Sequence, residues 1–145
     1  MDIKKIFFLL GIVTLTLFSC NSTKTTLDSS TSLEGNWQLD FISGPRISFQ
    51  ALYPDNKPTL YFDLNENHFS GNSSCNQYKG KLKVFHNTIS FKEPIVATKM
   101  MCPNMQGETT YMTMLNKVET FTISKDGQTL NFLMGEVVIM RFIKI

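Results

Sequence analysis

The sequence predicts a mainly β domain of the α+β class: a small curved antiparallel sheet or barrel-like meander of about seven or eight strands, with one helix inserted before the last three. Three observations carry this. From Leu33 onward, apolar side chains recur at every second position over short runs. Turn-forming residues separate those runs, and one segment, CPNMQGETTYMTMLNKVE, changes to helical spacing. Strands this short, joined this closely, favour a sheet that curls and hides its edges.

The elements follow in order. In LEGNWQLDF, Leu33, Trp37, Leu39 and Phe41 share one face, and Gln38 and Asp40 take the other. PTLYFDL repeats the alternation with Leu60, Phe62 and Leu64 before the turn Asn65-Glu66-Asn67. A strand pair follows, starting at Phe69 and returning through Gly80-Lys81-Leu82-Lys83-Val84. His86-Asn87 then reads as a turn before a short strand from Thr88 to Phe91. The helix is predicted from Tyr111, Leu115 and Val118 at i, i+4 and i+7, with Asn104 as N-cap. Glu108 sits in its first turns, where a carboxylate favours the helix dipole, and Gly107 weakens the start. Beyond it, Phe121 and Ile123 alternate, Lys125-Asp126-Gly127 signals a hairpin, and Leu130 and Phe132 alternate again. VVIMRFIKI is apolar on both faces for most of its length, so it is expected to be covered on both sides.

At the N-terminus, Lys4 and Lys5 precede an uncharged, largely apolar run of 13 residues, Ile6 to Phe18. That is short of the ~20 helical residues a bilayer core requires, so it reads as the h-region of a signal peptide. Leu17-Phe18-Ser19-Cys20 resembles a bacterial lipobox, in which the cysteine is acylated and the chain is cut before it. The expected division is a lipoprotein signal peptide over 1–19, a flexible Ser/Thr-rich tether over 20–32 behind lipidated Cys20, and one domain over 33–145. The expected location is the bacterial cell envelope, with the outer membrane as the anchored surface. Without Asp2, Lys4 and Lys5 the chain holds 12 basic and 11 acidic side chains. This near-neutral balance, read as lacking a Lys/Arg cluster, argues against a nucleic-acid partner.

The stretch SGNSSCNQYKG puts Gly71 and Gly80 inside strands, where glycine marks a bulge, a bend or a close backbone approach. Asn72 and Asn76 can accept left-handed angles or satisfy freed backbone groups. The same stretch resembles the signature of the META domain, the HslJ-like family of bacterial envelope lipoproteins: Gly71, Cys75-Asn76, Tyr78 and Gly80. A second signature is similar too, Thr98-Lys99-Met100-Met101-Cys102 with Glu108 and the helix behind it, and Trp37-Gln38-Leu39 matches the first strand. Ser74 departs from the family, which commonly has glycine directly before the cysteine. The resemblance implies a barrel-like β fold with a helix, a stress-related envelope role and no enzymatic activity.

Two cysteines remain once Cys20 is lipidated. In an oxidising envelope, Cys75 and Cys102 form a disulfide or stay as two buried thiols, and the sequence leaves both readings open. A zinc site drawn from Cys75, Cys102, His68 and His86 lacks the close ligand pairs such sites use, so neither metal nor cofactor is expected. No serine has a Gly-x-Ser-x-Gly setting, and Asp40, Asp63 and Glu93 stand singly. Met100, Met101, Met105, Met112 and Met114 cluster around the helix and are expected to fill core; exposed together, they would mark a partner groove.

The expected function is that of a non-catalytic, lipid-anchored monomer that contacts another envelope protein. One alternative is a barrel holding a small hydrophobic ligand, although 12 phenylalanines and eight methionines suggest a filled interior. Another is an inhibitor of a wall-degrading enzyme. The Ser-Gly-x-x-Tyr of C-type lysozyme inhibitors is matched only by Ser70-Gly71, with Ser74 in the tyrosine's place.

Overall fold

The computed structural model describes residues 33–145 except Pro45. The expected signal peptide, lipidated Cys20 and tether lie outside the described residues. The elements are β1 (Gly35–Ile42), α1 (Phe49–Leu52), β2 (Thr59–Asp63), β3 (His68–Asn72), β4 (Gln77–Lys81), β5 (Lys83–Phe85), β6 (Thr88–Ser90), β7 (Val96–Ala97), α2 (Gln106–Leu115), β8 (Thr120–Ile123), β9 (Thr129–Met134) and β10 (Val137–Lys144). The ten strands form one antiparallel sheet in the order β5-β6-β8-β9-β10-β1-β2-β3-β4-β7.

Two features raise the strand number above the expected seven or eight. The run Gly80 to Val84 divides at Leu82 into β4 and β5, and the two-residue β7 carries no periodic signal. The division explains the curl. A single residue separates β4 from β5 along the chain, yet they lie near opposite ends of the strand order, so the sheet must bend round into a half-barrel. Leu82 is buried at that corner and its N–H donates to the Asn67 carbonyl at 2.8 Å.

The concave side is apolar. Trp37, Leu39, Leu60, Phe62, Phe69, Phe91, Phe121, Leu130, Phe132 and Phe142 are all buried there. Phe132 packs against Phe142 and Phe91 with ring centroids 5.2 and 5.4 Å away. Trp37 places its indole N–H 2.8 Å from the Leu33 carbonyl, satisfying the one polar atom it buries.

Bulges correct two expectations. The register shifts between Leu39 and Phe41 where β1 meets β10, which turns Phe41 outward and brings Ile42 in. A second shift between Val138 and Met140 buries the neighbours Ile139 and Met140 together. β10 is therefore not covered on both sides: Val137, Val138 and Ile143 are exposed.

α2 precedes the last three strands, as expected, and buries Gly107, Tyr111 and Leu115, with Val118 just beyond it. Its N-cap is Met105, which makes no side-chain cap bond, rather than Asn104. Asn104 instead accepts from Gln106 N at 3.1 Å from one position further out. The short α1, which sequence periodicity does not reveal, is capped by Ser48 and buries Leu52. Tyr53 follows it and donates its hydroxyl to the Gly107 carbonyl at 3.0 Å, fastening α1 to the start of α2.

Candidate functional site

The signature residues converge where the β3–β4 loop, the segment after β7 and the first turn of α2 meet. β3 and β4 pair in regular register from His68↔Lys81 to Asn72↔Gln77, so neither Gly71 nor Gly80 marks a bulge. Both permit close approach. A Cβ on Gly80 would lie 2.6 Å from the Phe69 ring that crosses it, and one on Gly71 would collide with the Thr59 carbonyl and lie 2.7 Å from the Tyr78 hydroxyl. Glycine here lets two aromatic side chains lie across the neighbouring strand. Tyr78 reaches Thr59 O at 2.8 Å and Tyr111 Oη at 2.6 Å. Burial pushes the phenols of Tyr78 and Tyr111 above their ordinary range. For Tyr78 the neighbouring Tyr111 adds to the shift, and for Tyr111 its hydrogen bond with Tyr78 opposes it.

The loop joining β3 to β4 turns through Ser73, Ser74, Cys75 and Asn76. Asn72 Oδ1 accepts from Ser74 N at 2.7 Å, and Ser74 has φ 92°, a left-handed conformation that favours glycine. This is the position at which the sequence departs from the META pattern. The asparagines stabilise the loop by hydrogen bonding, since neither adopts a positive φ.

Asn76 is the centre of the site and is 3% exposed. Its Oδ1 accepts from Thr98 Oγ1 at 2.7 Å and from Met100 N at 2.8 Å. Its Nδ2 donates to Glu108 Oε2 at 2.9 Å and to the Met100 carbonyl at 3.2 Å. All four hydrogen-bonding positions of one amide are thus used, and only this orientation sets donors against acceptors. Fully buried Ser73 lies 2.8 Å from Glu108 Oε1 and 2.9 Å from the Asn76 carbonyl, its one proton reaching one acceptor at a time. Among the described residues no buried side-chain N or O atom lacks a partner.

A disulfide joins Cys75 to Cys102, with Cα atoms 6.0 Å apart, which resolves the choice between a bridge and two thiols. Together with Asn76 it pins the strap from Thr98 to Cys102 at alternate positions. Thr98 N also donates to Gln77 O at 3.0 Å. The residues between the pins, Lys99 and Met101, are exposed, and Met101 is 96% so. The methionine expectation therefore divides. Met112 and Met114 pack on the core, whereas Met100, Met101 and Met105 are exposed.

Most of the named signature residues meet here: Gly71, Cys75, Asn76, Tyr78, Thr98, Cys102 and Glu108. Gly80 lies further along β4 under Phe69, and Trp37 sits in the core two strands from β3. Sequence reading missed Ser73 and the Met100 backbone. Ser73's spacing three before Asn76 was visible, but its contact with Glu108, 35 residues on, was not. His68 lies on β3 and His86 in the β5–β6 turn. Among the described residues no group of three or more His, Cys, Asp or Glu could hold a metal ion.

A curled antiparallel half-barrel whose loop, strap and helix are joined by one asparagine, one glutamate and one disulfide defines a small domain with a pinned surface strap. The META domain family matches residues 19–143, and the chain belongs to it. In fold it is similar to a Burkholderia xenovorans protein solved by NMR, at 21% identity and TM-score 0.64 over 81% of this chain and 86% of that one. It is also similar to a DUF4847 family protein from Bacteroides vulgatus solved by crystallography, at 13% identity and TM-score 0.54 over 79% and 95%. No curated protein matches the sequence.

Proposed function

We propose that this is a non-catalytic, lipid-anchored envelope protein with a stress-related role, and that it contacts its protein partner through the strap from Thr98 to Cys102. The observation that carries the reading is the division of labour along the strap. Thr98, the Met100 backbone and Cys102 are held by the domain, while Lys99 and Met101 stand out from it. A loop held in one conformation loses little entropy on binding, so its exposed side chains serve recognition well. The polar groups of the site are consumed internally, and Ser73, which has a carboxylate beside it, is buried out of reach of a substrate. Aromatic side chains occupy the concave face where a barrel would hold a hydrophobic ligand. The anchor rests on the lipobox resemblance at Cys20. No described helix is long and apolar enough to cross a membrane.

The test is genetic and physical together. A strain lacking the protein is complemented with the Lys99→Glu/Met101→Asp variant, whose substituted side chains are exposed and leave the melting temperature essentially unchanged. Failure to restore stress tolerance, where the wild type restores it, is the expected result. Full complementation ends the strap reading, and release of the wild-type protein into the aqueous phase on detergent phase separation ends the anchor reading.

A further inference from the structure

Composition concealed a charge feature that the fold displays. Contrary to the reading of a chain without a basic cluster, residues 77–97 carry Lys79, Lys81, Lys83 and Lys92 against a single acidic residue, Glu93. Buried Tyr78 and Leu82 alternate with the first three lysines, so all three ammonium groups leave the convex face of β4 and β5 together. The chain returning to β7 runs beside them: Ser90 pairs with Lys83 and Val96 with Lys79. Glu93 engages Lys83 at 2.7 Å, and its carboxyl is held below the usual range by that hydrogen bond and charge, with Lys81 adding to the effect. Among the described residues Lys79, Lys81 and Lys92 form no ion pair. Two large apolar side chains stand exposed on the same elements, Phe85 at 74% and Val96 at 64%.

We propose that this face docks on an anionic lipid surface, an inference that rests on the lipid-anchor reading for its orientation. Lysines interleaved with exposed apolar side chains suit such a surface. The ammonium groups meet phosphates, and Phe85 and Val96 enter the boundary between headgroup and acyl chain. The place where the described chain begins agrees. Lys81 pairs with His68 and His68 with Asp63, the residue after the Phe62 that pairs with Gly35. The first strand therefore starts three strand spacings from Lys81, roughly 14 Å. The 13 residues from Cys20 to Ser32 would span at most about 45 Å if fully extended, so an anchor at Cys20 keeps this face within reach of the bilayer. An acidic protein would meet the same lysines, but neither the tether nor the exposed Phe85 would then be accounted for. The strap begins at the Gln77 end of β4, roughly 14 Å along the strand from Lys81. It stays available to a partner while the lysines lie on lipid.

The test uses the full-length acylated chain on vesicles of phosphatidylcholine alone and of phosphatidylcholine with phosphatidylglycerol. Amine acetylation is mapped lysine by lysine by mass spectrometry. Lys79, Lys81 and Lys92 are expected to react about tenfold more slowly on the anionic vesicles, to recover at high salt, and to do so while Lys57 and Lys117 react equally on both. In the Lys79→Glu/Lys81→Glu/Lys92→Glu variant, Lys83 should react equally on both vesicle types. Retention on both vesicles with equal labelling overturns the docking face and leaves the anchor standing. Loss from neutral vesicles with protection on anionic ones removes the anchor and upholds the face. Loss from both overturns it. Protection seen in intact envelopes but not on anionic vesicles assigns the lysines to an acidic protein and overturns the lipid assignment.

Discussion

Along β1, β10 and β9 the domain is held by side chains without a polar atom: Leu39, Ile139, Met140, Phe142, Leu130 and Phe132 are all buried. Around Asn76 it is held by hydrogen bonds among Ser73, Thr98, Met100 and Glu108, and by the disulfide. The difference is one of directionality. Apolar burial scales with area and tolerates exchange between shapes of similar volume. The latch requires each donor to meet its own acceptor, because a buried polar group without a partner keeps its full desolvation cost. The domain thus spends its specificity at the strap and its bulk stability along the seam.

The comparison is broken most strongly at Asn76. Asn76→Ala removes the partner of the Met100 N–H, of the Thr98 hydroxyl and of one Glu108 oxygen at once and is expected to cost about 3–5 kcal/mol, whereas Ile139→Val in the seam costs about 0.5–1.5 kcal/mol. Chemical denaturation measures both, and equal costs would remove the distinction. Replacing Cys75 and Cys102 by alanine opens a 27-residue separation. The expected cost is about 3–4 kcal/mol. Because the disulfide and Asn76 hold the same strap, the combined variant should fall short of the sum.

A smaller effect separates the two regions by pH. Burial raises the phenols of Tyr78 and Tyr111 in the folded state above the ordinary 10.0. The native state therefore keeps protons that the unfolded chain releases, and the stability they contribute is complete below pH 10 and falls as pH rises beyond it. Melting temperature followed from pH 9 upward should drop, and the Tyr78→Phe/Tyr111→Phe variant should drop less steeply. Parallel curves would assign the alkaline loss elsewhere.

The smallest change sharpens the latch instead of breaking it. Ser74→Gly relieves the residue at φ 92°. It is expected to add about 0.5–1 kcal/mol, since the relief is partly offset by the greater freedom of glycine in the unfolded chain. A lower denaturation midpoint would show that the Ser74 side chain contributes more than its backbone angle costs.

Much of this was legible without coordinates. Period-two runs located most of the strands and the i, i+4, i+7 stripe located α2, because each is a local pattern repeated over several residues. Phe41, Leu82 and β7 were not, for a common reason. A bulge that reverses a face, a corner that divides a strand and a two-residue edge strand each depend on a partner distant in sequence. At the site, the residue types that converge were readable from the signature, but their bonds were not. The methionines show the same limit: spacing groups Met100, Met101, Met105, Met112 and Met114, but packing alone divides the exposed three from the half-buried Met112 and Met114.

By itself the sequence determined that residues 33–145 are β-rich, with an in-strand glycine pair, Cys75 and Cys102, and the helix α2, since alternation, turn chemistry and composition act over a few neighbouring residues. Tertiary structure decided that the sheet curls until β4 and β5 share a corner, that Asn76 organises the signature, and that Lys79, Lys81 and Lys83 are exposed together. The physical reason is range: a hydrogen bond between Ser73 and Glu108 joins residues 35 apart, and only the folded chain brings such partners within reach.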